Sequence, residues 1–415
     1  MEINPHAAPL DVARVKKDFP ILERLVHGKR LVYLDSASSA QKPLAVIESM
    51  SRYYETTHAN VHRGVYEIAQ EATRLYEEAR AKVAQFIGAA SADEVVFTKN
   101  ATEAINLVAY AWGRKNLGAE DIVVTSEIEH HANFVPWLQL RGGTGTRLRF
   151  LRLGDDGMLV LDDLGLLEGA KLLAVTAASN VLGTLTPVRL LSDAAHAAGA
   201  LVMLDAAQYV PHMPTAVSDL GADFVAFTGH KMLGPTGIGV LWARRELLEA
   251  MPPFLTGGEM IRDVRLDGFT TNEVPWKFEA GTPPIAEAIG LGVAVDYLQA
   301  LGMGAVRAHE QALTAYAMKA LKEHYGDEIV IHGPASASQR CGIVSFTYRD
   351  IHAHDMSQVL DQAGVCVRAG HHCAKPLMRQ LGVTATARAS FSVYNDEADV
   401  DALVTAIAQA DAVFG

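Results

Sequence analysis

Seven short apolar runs rich in β-branched residues recur between residues 94 and 243: EVVFT, DIVVTSE, RLRFLRL, KLLAVTA, ALVMLD, DFVAFT and GIGVLWA. They read as strands. Helical or turn-rich intervals separate them, which is the rhythm of an open, mostly parallel α/β sheet. One interval, YEIAQEATRLYEEARAKVAQFIGA, places Ile68, Ala72, Leu75, Tyr76, Ala79, Val83 and Phe86 at helical spacing and predicts an amphipathic helix packed on the core.

The pattern breaks between Leu255 and Pro284, where LTGGEMIRDVRLDGFTTNEVPWKFEAGTPP has little periodicity. A loop of that length in a compact protein is a functional segment or a boundary. Beyond it lie long helical patterns, the strand signals EIVIHG, GIVSFTY, VCVRAG and ARASFS, and a final helix from about Asp396. At 415 residues the chain exceeds what one core holds. The expected division is an N-terminal segment (1–30) packing with a small domain, a large α/β domain (31–285) and a smaller α+β C-terminal domain (286–415). There is no internal repeat and no low-complexity tract.

A net charge of -12 without a long basic block argues against nucleic acid or an anionic membrane as a partner. The cysteines, Cys341, Cys366 and Cys373, lack CxxC or repeated Cys/His spacing, as expected of a reducing cytoplasm without a structural zinc site. The opening MEINPHAAPL lacks the features of a signal or transit peptide, and no apolar run reaches the length of a membrane span. The expectation is a soluble cytoplasmic protein.

Chemistry concentrates at predicted strand ends, where open α/β sheets bind ligands. VMLDAAQ ends a strand at Asp205 with Gln208 one turn later, and VAFTGHKMLGPTGIG ends another with Thr228, His230 and Lys231 before a glycine-rich turn. A lysine able to form a Schiff base and an aspartate able to protonate a pyridine nitrogen are what pyridoxal phosphate needs. TKNATEAINLVA adds an anion site at a helix start, with Asn100 or Thr102 opening the helix. SEIEHHANFVPW sets His130 and His131 past another strand end, where a flat imidazole can stack on a cofactor ring. Taken singly, each of these residues fits an ordinary cap, turn or core position.

Taken together, YLDSASSAQKP, NVHRGVY, TEAINLVA, EHHANFVPW, SNVLGT, DAAQ, TGHKMLGPTGIG, GGEMI, FEAGTP, RAGHHCAKPL and ARASFSVYN resemble, in that order, the SufS-type (group II) cysteine desulfurases. These are class V pyridoxal-phosphate enzymes of fold type I, the aspartate aminotransferase-like fold, with a mostly parallel seven-stranded sheet in the large domain. The resemblance runs from about Leu31 to about Asn395. It implies that Lys231 carries the cofactor as an aldimine, Asp205 pairs with its ring nitrogen, Gln208 bonds its hydroxyl and His130 stacks on it. Thr102, Thr228 and His230 would hold the phosphate, joined by Thr282 from the second subunit of a homodimer. Asn180 and Arg388 would grip the carboxylate of L-cysteine, with Arg368 and His62 also near the substrate.

The resemblance makes Cys373 the nucleophile that takes sulfur from the substrate as a persulfide, leaving alanine. Attack requires the thiolate, and Arg368, His371 or His372 nearby would favour it. Cys341 and Cys366 read as structural. The sulfur would pass to a SufE-like or zinc-holding SufU-like acceptor and serve iron–sulfur cluster assembly, with His354 of IHAHD, beside His352, a candidate ligand to a partner's zinc. Tyr66 stands where relatives often carry histidine. The rival readings are a selenocysteine lyase, a non-catalytic scaffold that kept the pocket, and a metalloprotein built on His352, His354, His371, His372 and Cys373.

Overall fold

The structure, a computed structural model, describes residues 10–162 and 164–414. Seven strands form the large sheet, in the order Val95–Thr98, Gly239–Ala243, Phe224–Thr228, Leu201–Asp205, Ala170–Thr176, Ile122–Ser126, Arg147–Leu151. All the apolar runs read from the sequence are present. Gly239–Ala243 runs antiparallel to both neighbours, and the other pairings are parallel. Four of the five strands Val95–Thr98, Ile122–Ser126, Ala170–Thr176, Phe224–Thr228 and Gly239–Ala243 are buried at every position, and Ala170–Thr176 at all but Lys171, as expected of strands covered on both faces. Parallel register brings Thr176 beside Asp205 and Asp205 beside Ala226, so the carboxyl ends of three neighbouring strands meet along one edge.

The helix Glu67–Phe86 packs against Ile285–Leu301 and buries Ala72, Tyr76, Ala79 and Val83. Ile68 departs from the expectation, being 44% exposed in the first turn, beside the exposed Val65 and Tyr66. Residues 255–284 are also more ordered than their composition implies. Ile261–Arg265 and Gly268–Thr271 form a hairpin, and Trp276–Phe278 forms a 3₁₀ turn. The signal was the Asp267-Gly268 pair in RLDGF, which favours a tight hairpin connection.

The C-terminal part carries a four-stranded antiparallel sheet, in the order Ile329–His332, Ile343–Tyr348, Thr386–Ser390, Arg368–Gly370. Helices Met303–Tyr325, Ala353–Gln362 and Glu397–Phe414 pack on it and share its core. Of the N-terminal segment, residues 1–9 lie outside the described residues. Farther on, Lys16 pairs with Asp396 at 2.6 Å and with Asp399 at 3.1 Å. Val32–Tyr33 pairs in parallel with Val365–Cys366, and Val32 and Leu34 enter the small sheet's core. Among the described residues no single helix is long and apolar enough to cross a membrane.

Candidate active site

The strand ends and the small sheet enclose a cavity of about 370 Å3. Asp205 closes its strand with a buried carboxylate whose Oδ1 accepts the Ala207 N–H at 3.0 Å. Burial raises its pKa, while that hydrogen bond and the nearby Lys231 charge pull it down. Lys231 sits on the 3₁₀ turn Gly229–Lys231 that follows the next strand. Its ammonium is pushed down to about 8, chiefly by burial, with the Arg388 charge adding to the effect and Asp205 opposing it.

Among the described residues, Gln208 and Arg388 on this cavity each leave a buried polar atom without a partner. Gln208 donates Nε2 to the Ala37 carbonyl at 2.7 Å, which leaves its Oε1 unsatisfied. Arg388 donates Nη1 to the Asn180 carbonyl at 2.8 Å and Nη2 to Ser38 Oγ at 2.7 Å, while its Nε is unpaired. Buried donors and acceptors are almost always satisfied, so unpaired ones on residues that line a cavity are consistent with a bound molecule there.

The helix that begins at Ala101 is capped by Asn100, whose Oδ1 accepts the Glu103 N–H at 2.9 Å. Asn100 is thus the cap, and Thr102 lines the cavity with Thr228 and His230. The close fit beneath this helix start depends on Gly239, because a Cβ there would lie 2.5 Å from the Asn100 backbone. His130 also lines the cavity, its Nδ1 accepting the Ala132 N–H at 3.0 Å. Burial, aided by the Lys231 charge, lowers its pKa to about 3, so the ring is neutral at physiological pH.

Cys373 is exposed at the cavity, and both it and His372 adopt left-handed backbone angles, with φ of 54° and 49°. The expectation that His372 supplies positive charge to the thiol does not hold. Its Nε2–H donates to the Thr386 carbonyl at 3.0 Å, and burial with the Arg388 charge drives its pKa down to about 3. Lys231, Arg368 and Arg388 are the lysine and arginine side chains on the same cavity.

Of the other expected site residues, Asn180, Arg368 and Arg388 line this cavity, whereas His62 and Thr282 do not. His62 lines a second cavity of about 340 Å3 with Arg63, Glu259 and Trp276, and it pairs with Glu77 at 2.8 Å. Thr282 lies in a third, beside Lys99, Glu103 and Gly237. Sequence reasoning missed Asp35 and Ser38, which lie in the motif YLDSASSAQKP. Asp35 contacts Arg368 at 2.9 Å and Arg388 at 3.2 Å. His352 is occupied as a helix cap, its Nδ1 accepting the His354 N–H at 3.3 Å, while His354 itself is exposed. Among the described residues no three His, Cys, Asp or Glu side chains are arranged to hold a metal ion.

The class-V aminotransferase family matches residues 32–403. The chain is 52% identical to a probable cysteine desulfurase of Streptomyces coelicolor, with 98% of each chain covered. It is 48% identical to a cysteine desulfurase of Haloferax volcanii, again over 98% of each. The apo structure of a cysteine desulfurase from Thermococcus onnurineus superposes with a TM-score of 0.92 at 40% identity, covering 97% of this chain and 98% of that one.

Proposed function

We propose, on the premise that this chain belongs to the class-V aminotransferase family as one of its pyridoxal-phosphate-dependent cysteine desulfurases, that it converts L-cysteine to L-alanine and leaves the sulfur on Cys373. The observation that supports the assignment of roles is that one cavity gathers Asp205, Lys231, Arg388 and Cys373 from four separate segments of the chain. Pyridoxal phosphate, when bound, supplies an electron sink for the substrate carbon. Lys231 would be its attachment point, Asp205 would pair with its ring nitrogen, Gln208 would bond its hydroxyl and His130 would stack on its ring. Thr102, Thr228 and His230 would hold its phosphate.

Arg388, with its unpaired Nε, and Asn180 orient the substrate carboxylate, a task suited to a planar guanidinium. Arg368 sits at the entrance. The Lys231 amine, buried on this cavity, would move protons at the substrate carbons. The Cys373 thiolate donates an electron pair to the substrate sulfur and an S–S bond forms. The Cβ–S bond breaks with its pair going to carbon, which is then protonated to give alanine. No external oxidant is required.

The active unit is a homodimer in which a second copy brings His62 and Thr282 to the cavity. What supports this is their separation from it in one chain, together with the exposed apolar side chains of Val65 and Leu266. The protein is of the SufS type, acts in the cytoplasm, and hands sulfur to a SufE-like or SufU-like acceptor for iron–sulfur cluster assembly. His354 is the candidate ligand to a SufU-like partner's zinc, and a His354→Ala variant that accepts the partner and transfers sulfur normally refutes that role.

The deciding experiment incubates the yellow purified protein with L-cysteine without reductant, measuring alanine and the mass of the peptide carrying Cys373. Alanine together with one added sulfur establishes the reaction. Alanine without it removes Cys373 from the mechanism.

A further inference from the structure

The Cys373 loop carries an unusual backbone. Two successive non-glycine residues, His372 and Cys373, are left-handed, a conformation that persists only where the surroundings impose it. The restraints come from two sides. Asn180 donates Nδ2 to the His372 carbonyl at 2.7 Å. Opposite it, the His131 N–H donates to the Cys373 carbonyl at 2.7 Å, and His131 Nε2 accepts the Lys375 N–H at 3.1 Å. His131 therefore grips the loop on both sides of Ala374, once through its backbone and once through its ring. Within the loop, Cys373 N–H donates to His371 Nδ1 at 3.1 Å, and the His371 ring lies 5.7 Å from that of His131.

Two features make the ring contact more than packing. His131 adjoins His130, so the segment that presents one face of the cavity also fixes the loop carrying the exposed thiol. The ring contact also requires an unprotonated Nε2, because a backbone N–H can only donate. We propose that His131 is a positioning residue that uses Nε2 to hold the Cys373 loop, and with it the thiol, in line with the substrate sulfur. This rests on the desulfurase reading above, and it assigns His131 no contact with substrate.

Three variants of the full-length holoenzyme test the idea. His131→Gln keeps an acceptor near the Nε2 position, whereas His131→Asn is too short to reach Lys375 and His131→Phe keeps the ring plane but no acceptor. Expected for the Asn and Phe variants is amide exchange in residues 371–381 faster by roughly tenfold. Expected with it is a kcat for alanine production lower by about tenfold, KM for L-cysteine within about threefold, and unchanged cofactor content. His131→Gln should behave as wild type in all respects. Wild-type exchange and turnover in the Asn variant overturns the proposal, as does a Gln variant as impaired as the others. If Phe fails to fold, the Asn and Gln pair decides the matter. If wild type makes no alanine from L-cysteine, the functional reading fails, while the exchange data still decide whether His131 holds the loop.

Discussion

Asp35 Oδ1 lies 3.2 Å from Arg388 Nη2, while its other carboxylate oxygen lies 2.9 Å from Arg368 Nη2. One carboxylate thus holds two guanidiniums that face each other across neighbouring strands of the small sheet. Burial works against the charged state of Arg388, and Asp35 opposes that effect. Without it, the buried Arg388 loses its carboxylate partner and keeps only Ser38 Oγ at Nη2 and the Asn180 carbonyl at Nη1. Asp35→Asn should therefore raise KM for L-cysteine by roughly tenfold with a smaller change in kcat, since a charge-assisted bond that fixes ground-state binding is lost. Steady-state alanine production with cofactor occupancy measured in parallel checks this, and an unchanged KM refutes it.

Lys231 has a depressed pKa, about 8 against an ordinary 10.5, and burial is the main cause. Only the neutral amine attacks an aldehyde, and at pH 7 roughly one lysine in ten would be neutral. The rate at which apoprotein takes up pyridoxal phosphate should rise as pH passes from 7 to 9 and then level off. The growth of the cofactor's visible absorbance band reports it. A rate that keeps climbing beyond pH 10 contradicts the depressed value, and Lys231→Ala should show no such band at any pH.

Arg80 and Glu279 form a buried ion pair at 2.6 Å, their side chains 1% and 5% exposed. Glu279 also accepts from Tyr76 Oη at 2.9 Å and from the Phe97 N–H at 2.7 Å, tying the helix Glu67–Phe86 to the sheet edge and to the segment that holds Thr282. Removing one partner strands the other charge in the interior. Arg80→Ala should cost about 3–5 kcal/mol of stability. Denaturant unfolding of the apoprotein would show it as a lower midpoint with little change in slope.

The sheet was legible in the sequence because its strands are apolar on both faces, so each announces itself without reference to its neighbours. Asp205, Lys231 and Cys373, each ordinary when taken singly, drew notice through their joint order along the chain, and the fold brings all three onto one cavity. Asp35 and Ser38 did not stand out, and His131 did so only beside His130 as an imidazole able to stack on a ring, because the contacts these residues make depend on partners more than two hundred residues away that only the closed fold brings near. His372 was misjudged for a related reason. Its charge is set by burial and by Arg388, neither of which local spacing reveals. Ile68 looked like a core residue because helical periodicity reports which face is apolar, not what covers it.

Glu129 is a buried carboxyl behind the cavity. Ser126 Oγ lies 2.5 Å and the Thr176 N–H 2.9 Å from its Oε1, and Asn133 Nδ2 donates to Oε2 at 2.7 Å. Burial nevertheless lifts its pKa to about 8, so it is protonated at neutral pH. A carboxyl with a raised folded-state pKa binds more protons folded than unfolded between its two pKa values. Its contribution to stability therefore falls as pH rises from about 4.5 towards 8, at most by about 1.4 kcal/mol per pH unit. Glutamine cannot ionise and keeps the contacts at Oε1, although it loses the one from Asn133. Glu129→Gln should thus be less stable than wild type at pH 5, and the gap should narrow or reverse by pH 8. Glu129→Ala, which strands buried donors at about 1–3 kcal/mol each, should be the less stable variant throughout. Unfolding midpoints at pH 5, 6.5 and 8 test the sign, and a gap that widens with pH would mean that Glu129 is ionised in the folded protein.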